Sequence, residues 1–300
     1  MVKKSHSENT VGPWAKEKLD TLEKYLKFYC SVLQNQRLTL VYIDGFAGAP
    51  VTTVRPQMTT TEAGFLDLAE AEAEAQAEFV MGSPVRALKI ECGFDRHYFF
   101  DLDDRRVAEL KALEPLWPKK WIHVETGDAN ERIQRLIRQI GSLEKVKGVA
   151  FLDPYGPHLE WKTLEALAAT RKFEVIINLP IHMAINRLLA KNVERNHEWE
   201  KKVDRCFGTT EWQGIVYPKH MTLFGEIEAP KADGVPKKLL DLYVSRLEKI
   251  FPCVAPPRQI RDTNKKPLYY LVWAGPHPKG KEGAQYILGY GERLAKKRRL

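Results

Sequence analysis

Cysteine is scarce in this chain and badly spaced for cross-linking. Cys30, Cys92, Cys206 and Cys253 are the four in 300 residues, and no two of them form a Cys-x-x-Cys pair. That argues against a zinc knuckle and against a disulfide framework. It fits a reducing, cytoplasmic setting in which thiols pack as small hydrophobes. His97, His123, His158, His182, His197, His220 and His277 show no metal-ligand spacing and no nucleophile partner, so no metal is expected. A run of about 18 apolar residues, enough for a membrane-spanning helix, is missing, and no membrane partner is expected. The opening Met-Val-Lys-Lys-Ser-His-Ser-Glu-Asn-Thr lacks the apolar stretch of a secretory signal. Gly-x-Gly-x-x-Gly is also absent, which argues against a dinucleotide oxidoreductase. No internal repeat is visible.

What is present is enough apolar sequence, 44%, to bury a full core. The net charge of +8 favours a polyanionic partner. Acid concentrates between Glu62 and Glu78, and the chain ends on Lys296, Lys297, Arg298 and Arg299. Residues 16–33 place Leu19, Leu22, Tyr25, Leu26, Tyr29, Val32 and Leu33 on one helical stripe. Strands are expected at 38–43, 97–101, 121–125, 148–153 and 173–180, with helices between them at about 84 onward, 105–113, 130–140 and 160–171. The stretch 62–80 should be helical by propensity. Ser83 reads as an N-cap, with Pro84 at the first helical position. After Pro180 a helix at about 182–192 leads into a basic and aromatic mixture. A helix at about 237–250, two antiparallel strands at 255–262 and 267–274, and a helix at about 282–298 complete the chain.

Strands alternating with amphipathic helices imply a parallel sheet covered on both faces. Five parallel strands closed by an antiparallel hairpin form the layout of the Rossmann-like class I methyltransferase sheet, an α/β fold. We expect one such domain over 1–300. It carries an N-terminal helix (14–35), an acidic insert (51–81) and a basic, aromatic insert (181–236).

In an open α/β sheet, ligands bind outside the carboxyl ends of the strands, so the residues there carry the chemistry. Asp44-Gly45-Phe46-Ala47-Gly48 follows the first strand, where a glycine turn would let backbone approach an adenosyl cofactor and Asp44 would accept from its amino group. A plain βα turn explains the same glycines. Asp101, with Leu102 beside it, ends the second strand, where a carboxylate would hold a ribose diol. Asp128 ends the third; it would accept from the adenine amine, with the Ala129 amide on a ring nitrogen, and it would equally serve as a helix N-cap. Asp153-Pro154-Tyr155-Gly156 ends the fourth. Either it is a type I turn, or Asp153 and the Pro154 carbonyl hold an exocyclic base amine while Tyr155 stacks on the base. Asn178 ends the fifth strand. Arg187, Lys191 and Trp199 offer cations and a ring to a nucleic acid; a packed cap with solvated charges is the competing account.

The ordered set Asp-Gly-Phe-Ala-Gly (44–48), Gly-Ser-Pro (82–84), Asp101, Gly-Asp-Ala-Asn (127–130), Phe-Leu-Asp-Pro-Tyr-Gly (151–156), Trp161, Ile-Asn-Leu-Pro (177–180) and Arg187 resembles the three-Cys-motif partner family. Pro267-Leu-Tyr-Tyr-Leu and the helix before it extend the likeness to nearly the whole chain from Trp14. The resemblance implies a Rossmann-type methyltransferase fold, S-adenosylmethionine as cofactor, Ser83 among the cofactor-binding residues, and a radical S-adenosylmethionine protein as a partner. Here Ala49-Pro50 stand where that family commonly has Pro-Gly. Asp153-Pro154-Tyr155-Gly156 is also similar to the Asp-Pro-Phe-Gly of tRNA guanine amine dimethyltransferases. The expected function is therefore methyl transfer to an amine of a nucleic-acid base. The alternative is a catalytically silent partner of a radical S-adenosylmethionine protein in DNA repair or modification.

Overall fold

The computed structural model describes residues 10–11, 14–54, 78–91, 93–182, 197–222, 225–228, 234–262 and 264–289. Helix α1 (Trp14–Leu33) follows a two-residue strand β1 (Thr10–Val11). The central sheet is built from β2 (Thr39–Asp44), β5 (Arg96–Asp101), β6 (Trp121–Thr126), β7 (Val146–Leu152) and β8 (Phe173–Leu179), with β11 (Cys253–Val254), β12 (Arg258–Arg261) and β13 (Pro267–Gly275). Its order is β11-β13-β8-β7-β2-β5-β6, and β12 also pairs with β13. The five strands named first run parallel, whereas β13 is antiparallel to β8, β11 and β12. This is the expected layout: a doubly wound parallel sheet closed by an antiparallel hairpin.

The central strands read as nearly continuous apolar runs because both of their faces are covered. Successive side chains alternate between two cores. Val41 and Ile43 join one cluster with Ile133, Leu164, Leu167 and Tyr243. These last come from α4 (Ala129–Ile140), α5 (Trp161–Ala169) and α8 (Val235–Ile250). Leu40 and Tyr42 join the other cluster, with Leu22, Tyr25, Leu26, Val85 and Ala284. Those residues belong to α1, α2 (Ser83–Leu88) and α9 (Pro278–Leu288). Helix α3 (Asp104–Lys111) contributes Val107 and Leu110 to the same side. Among the described residues no helix is long and apolar enough to cross a membrane.

Several expected boundaries move. Glu78–Met81, at the end of the stretch assigned to a helix, is strand β4; it pairs with β3 (Val51–Val54), which pairs in turn with β1. Residues 55–77 of that acidic insert lie outside the described residues. Gly82, not Ser83, occupies the N-cap position of α2, and Ser83 and Pro84 open the helix itself. The first closing strand divides into β11 and β12 with Ala255 buried between them. The last helix begins four residues earlier than expected, at Pro278, and the part placed beyond residue 289 lies outside the described residues. In the basic insert, α6 (His197–Phe207) and α7 (Glu211–Val216) precede a hairpin of β9 (Lys219–Thr222) and β10 (Gly225–Glu228).

Candidate active site

Strand parity decides which way the strand-end side chains face. Tyr42, Phe99, Phe151 and Ile176 all lie in the cluster beneath α1. Two residues further along each strand come Asp44, Asp101, Asp153 and Asn178, which the period of two turns toward the same face. The register sets Asp153 level with Asn178, since Leu152 stands opposite Ile177, whereas Asp44, opposite Phe99 and Phe151, lies two residues short of Asp101 and Asp153. Three acids and a carboxamide thus share the carboxyl edge of four adjacent strands. Asp128 behaves differently. It caps α4, accepting from the amides of Asn130 (2.8 Å) and Glu131 (3.2 Å). The cap reading of that residue holds, and Ala129 is buried as the first residue of the helix.

Asp44 is fully buried. The Tyr42 hydroxyl donates to its Oδ2 at 3.1 Å, and Ser83 supplies a second hydroxyl. Its Oδ1 is buried with no partner among the described residues. Burial pushes the carboxyl up to about 7 and the nearby charge of Asp153 adds to the rise, against the pull of Ser83 and Tyr42. Asp101, also buried, accepts one backbone amide on each oxygen: Gly48 at 2.8 Å and Asp103 at 2.9 Å. Gly48 has a φ of +65°, and a Cβ there would meet nothing within 4 Å. Leu102, the residue after Asp101, is 71% exposed. In the same turn the Gly45 and Ala47 amides donate to Phe151 and Phe100, and Phe46 packs on the α4 side.

Asp153 is held by two side chains from different elements. Its Oδ1 accepts from the Asn178 carboxamide at 2.5 Å, and its Oδ2 pairs with the Lys18 ammonium from α1. The Asn178 Oδ1 that faces away from this bond is buried without a partner among the described residues. Pro154 is buried, while Tyr155 is 87% exposed. The loop beyond it is fastened by Asn130. That side chain donates to the His158 carbonyl (2.8 Å) and accepts from the Glu160 amide (2.8 Å) and the Thr163 hydroxyl (2.9 Å). Asn130→Ala should therefore destabilise the fold by about 1–3 kcal/mol in urea denaturation, since it strands buried donors and acceptors together.

Lys18 is the residue that sequence reasoning missed; Asn130 stands in the Gly-Asp-Ala-Asn motif without an assigned role there. Arg187 and Lys191 lie outside the described residues. Trp199 is half-buried against the core cluster and Trp212 wholly buried, its indole donating to Asp204 at 2.7 Å. Trp212 therefore packs the cap of the basic insert, while Trp199 keeps part of its ring exposed. Among the insert's described residues, Lys201 pairs with Glu198 (2.8 Å) and Arg205 reaches out to Glu160 (3.2 Å), and the His197 ring lies 3.3 Å from Glu200.

Strand order, strand directions and the closing hairpin define the class of fold: a Rossmann-like sheet of the class I methyltransferase type, with the strand-end acids on its carboxyl edge. No family model and no curated protein matches the chain. Among solved structures it is similar to protein LPL1258 from Legionella pneumophila (12% identity over 90% of this chain and 91% of that one, TM-score 0.42). It is similar to human methyltransferase-like protein 13 in complex with SAH (12%, 91% and 91%, TM-score 0.37). It is also similar to the bifunctional kinase-methyltransferase WbdD (14%, 88% of this chain, TM-score 0.36), of which it spans 40%.

Proposed function

We propose that this chain transfers a methyl group from S-adenosylmethionine to an exocyclic amine of a nucleic-acid base. The observation that carries the reading is the shared facing of Asp44, Asp101, Asp153 and Asn178 at the ends of adjacent strands. The residues suit the cofactor. Each Asp101 oxygen keeps a second lone pair beyond its backbone donor, enough to accept from a ribose diol. The open space beside Gly48 admits a close approach of ligand to backbone. The partnerless oxygen of Asp44 is suited to a cationic amino group, and Asp128 with the Ala129 amide to adenine. The cofactor supplies an activated methyl on a sulfonium. The chain's own contribution is to orient the acceptor: Asp153, the Pro154 carbonyl and Asn178 hold the amine, and positioning accounts for most of the rate in such a transfer. The exposed ring of Tyr155 is free to stack on a base swung out of its helix. Arg187, Lys191 and Trp199 remain assigned to the substrate side, the two cations toward phosphate.

Titration calorimetry should detect S-adenosylmethionine binding to the chain, and Asp101→Ala should weaken it by roughly 10- to 100-fold, the value of a charged hydrogen-bond pair. Tritiated methyl should then appear in RNA or DNA from the parent cell. No heat with the cofactor would overturn the reading. Tight binding with no methyl incorporated into either nucleic acid would leave the non-catalytic alternative, a methyltransferase-fold partner of a radical S-adenosylmethionine protein.

A further inference from the structure

Lys18 has no place in the expectations above, yet it reaches the centre of the site. Its ammonium pairs with Asp153 across 135 positions of sequence, and its side chain is only 12% exposed. The Tyr269 ring lies 5.5 Å from the same nitrogen. A surface lysine could swing away from such a contact, but the helix turn that carries Lys18 is fastened on both sides. Arg258 of β12, itself buried, bonds Thr21 at 3.0 Å and pairs with Glu17. Arg86 of α2, also buried, pairs with Asp20 at 2.7 Å and Glu23 at 2.9 Å. Residues 17, 20, 21 and 23 are thus clamped to two different elements, and Lys18 sits among them as a fixed part of the site.

A fixed ammonium changes what the site accepts. Asp153 has one oxygen on Asn178 and the other on Lys18, so its charge is already compensated. What remains for an acceptor is a set of uncharged hydrogen-bond sites: the partnerless Asn178 Oδ1 and the second lone pairs of Asp153. A primary amine on an aromatic ring is neutral at physiological pH and presents two N–H donors, which suits that pair of acceptors. An alkylamine is a cation there, with an ordinary pKa of about 10.4. It would meet the Lys18 ammonium at close range without a free carboxylate to offset the repulsion.

We propose that Lys18 is a specificity-determining residue that neutralises Asp153 and so excludes alkylammonium acceptors, such as lysine side chains and polyamines, in favour of neutral aromatic amines. This rests on the reading of Asp153 and Asn178 as the acceptor site. The test titrates n-butylammonium chloride, against sodium chloride at equal ionic strength, into the full chain labelled with nitrogen-15. The side-chain amide of Asn178 is the reporter. The wild-type chain should give no saturable shift. Lys18→Met should give one, with an affinity at least roughly tenfold above wild type. Lys18→Arg should exclude the probe again, which a purely structural role for the lysine would not predict. A saturable shift in the wild-type chain, or a folded Lys18→Met that gains nothing, would overturn the proposal. Lys18→Gln stands in should Lys18→Met fail to fold. No cofactor enters this experiment, so failure of the methyltransferase reading shows separately, as missing heat with S-adenosylmethionine.

Discussion

Raising the pH from about 5 to about 7 should destabilise this fold, and Asp44→Asn should remove a large part of that loss. The Asp44 carboxyl ionises near its ordinary 3.8 in the unfolded chain and near about 7 in the folded one, where burial opposes the charge. Between those values the folded state holds a proton that the unfolded state has released, so stability falls as pH rises; outside the window both states carry the same charge and the contribution is flat. A gap of this size corresponds to about 4 kcal/mol over the whole window, of which roughly 2–3 kcal/mol falls between pH 5 and pH 7. Glu174 repeats the pattern elsewhere. Burial raises it to about 7 against the opposing hydrogen bond from the Tyr25 hydroxyl, and Glu174→Gln should remove an independent share. Urea midpoints at pH 5 and pH 8, at constant ionic strength, provide the measurement. Equal pH dependence in wild type and Asp44→Asn would refute the assignment. A carboxylate kept ionised at this cost above pH 7 is the kind of local inconsistency that marks functional sites. If a cofactor's amino group is what recovers the cost, cofactor affinity should climb with pH up to about 7 and then level.

The sheet was legible because its signals are local. Short apolar runs ending in Asp44, Asp101 and Asp153 mark buried parallel strands and their functional ends at once. Period two then carries the side-chain facing, so the sharing of one face by Asp44, Asp101, Asp153 and Asn178 follows from the runs themselves. Asp128 was legible as a cap for the same reason. Lys18 was not, because a polar residue on an amphipathic helix looks solvated until the partner element is known, and its partner is 135 positions away. Trp199 and Trp212 were ambiguous for a related reason: rings among lysines read equally as a stacking surface or as the core of a cap. The packing of Trp212 beneath Asp204 decides for the cap in that residue. Ser83 shows a third kind of displacement. Its hydroxyl serves Asp44 and Tyr42 across the turn, and the helix starts without a side-chain cap.

Gly148→Ala should destabilise the chain by about 3 kcal/mol, the upper part of the overpacking range, although it adds a single methyl group. Gly148 lies in β7 between Val41 of β2 and Phe173 of β8. A Cβ there would stand 2.4 Å from the Phe173 ring and 2.5 Å from the Val41 carbonyl oxygen. The ring is fully buried and the carbonyl belongs to a central strand, so neither neighbour can yield without moving a strand. Gly45, in the turn read as a cofactor cradle, provides the contrast. Its added carbon would meet Ile133 Cδ1 at 2.9 Å and Leu152 Cδ2 at 3.0 Å, the ends of side chains that can turn aside. Gly45→Ala should therefore cost no more than about 1 kcal/mol. The larger loss also has a functional address. β7 delivers Asp153 to Asn178 on β8, so a strand pushed from its neighbour at Gly148 should disturb their 2.5 Å bond and with it the Asn178 side-chain amide resonance. Equal stability losses at the two glycines, or an unmoved Asn178 signal in Gly148→Ala, would mean that the sheet's core does not fix the geometry at its carboxyl edge.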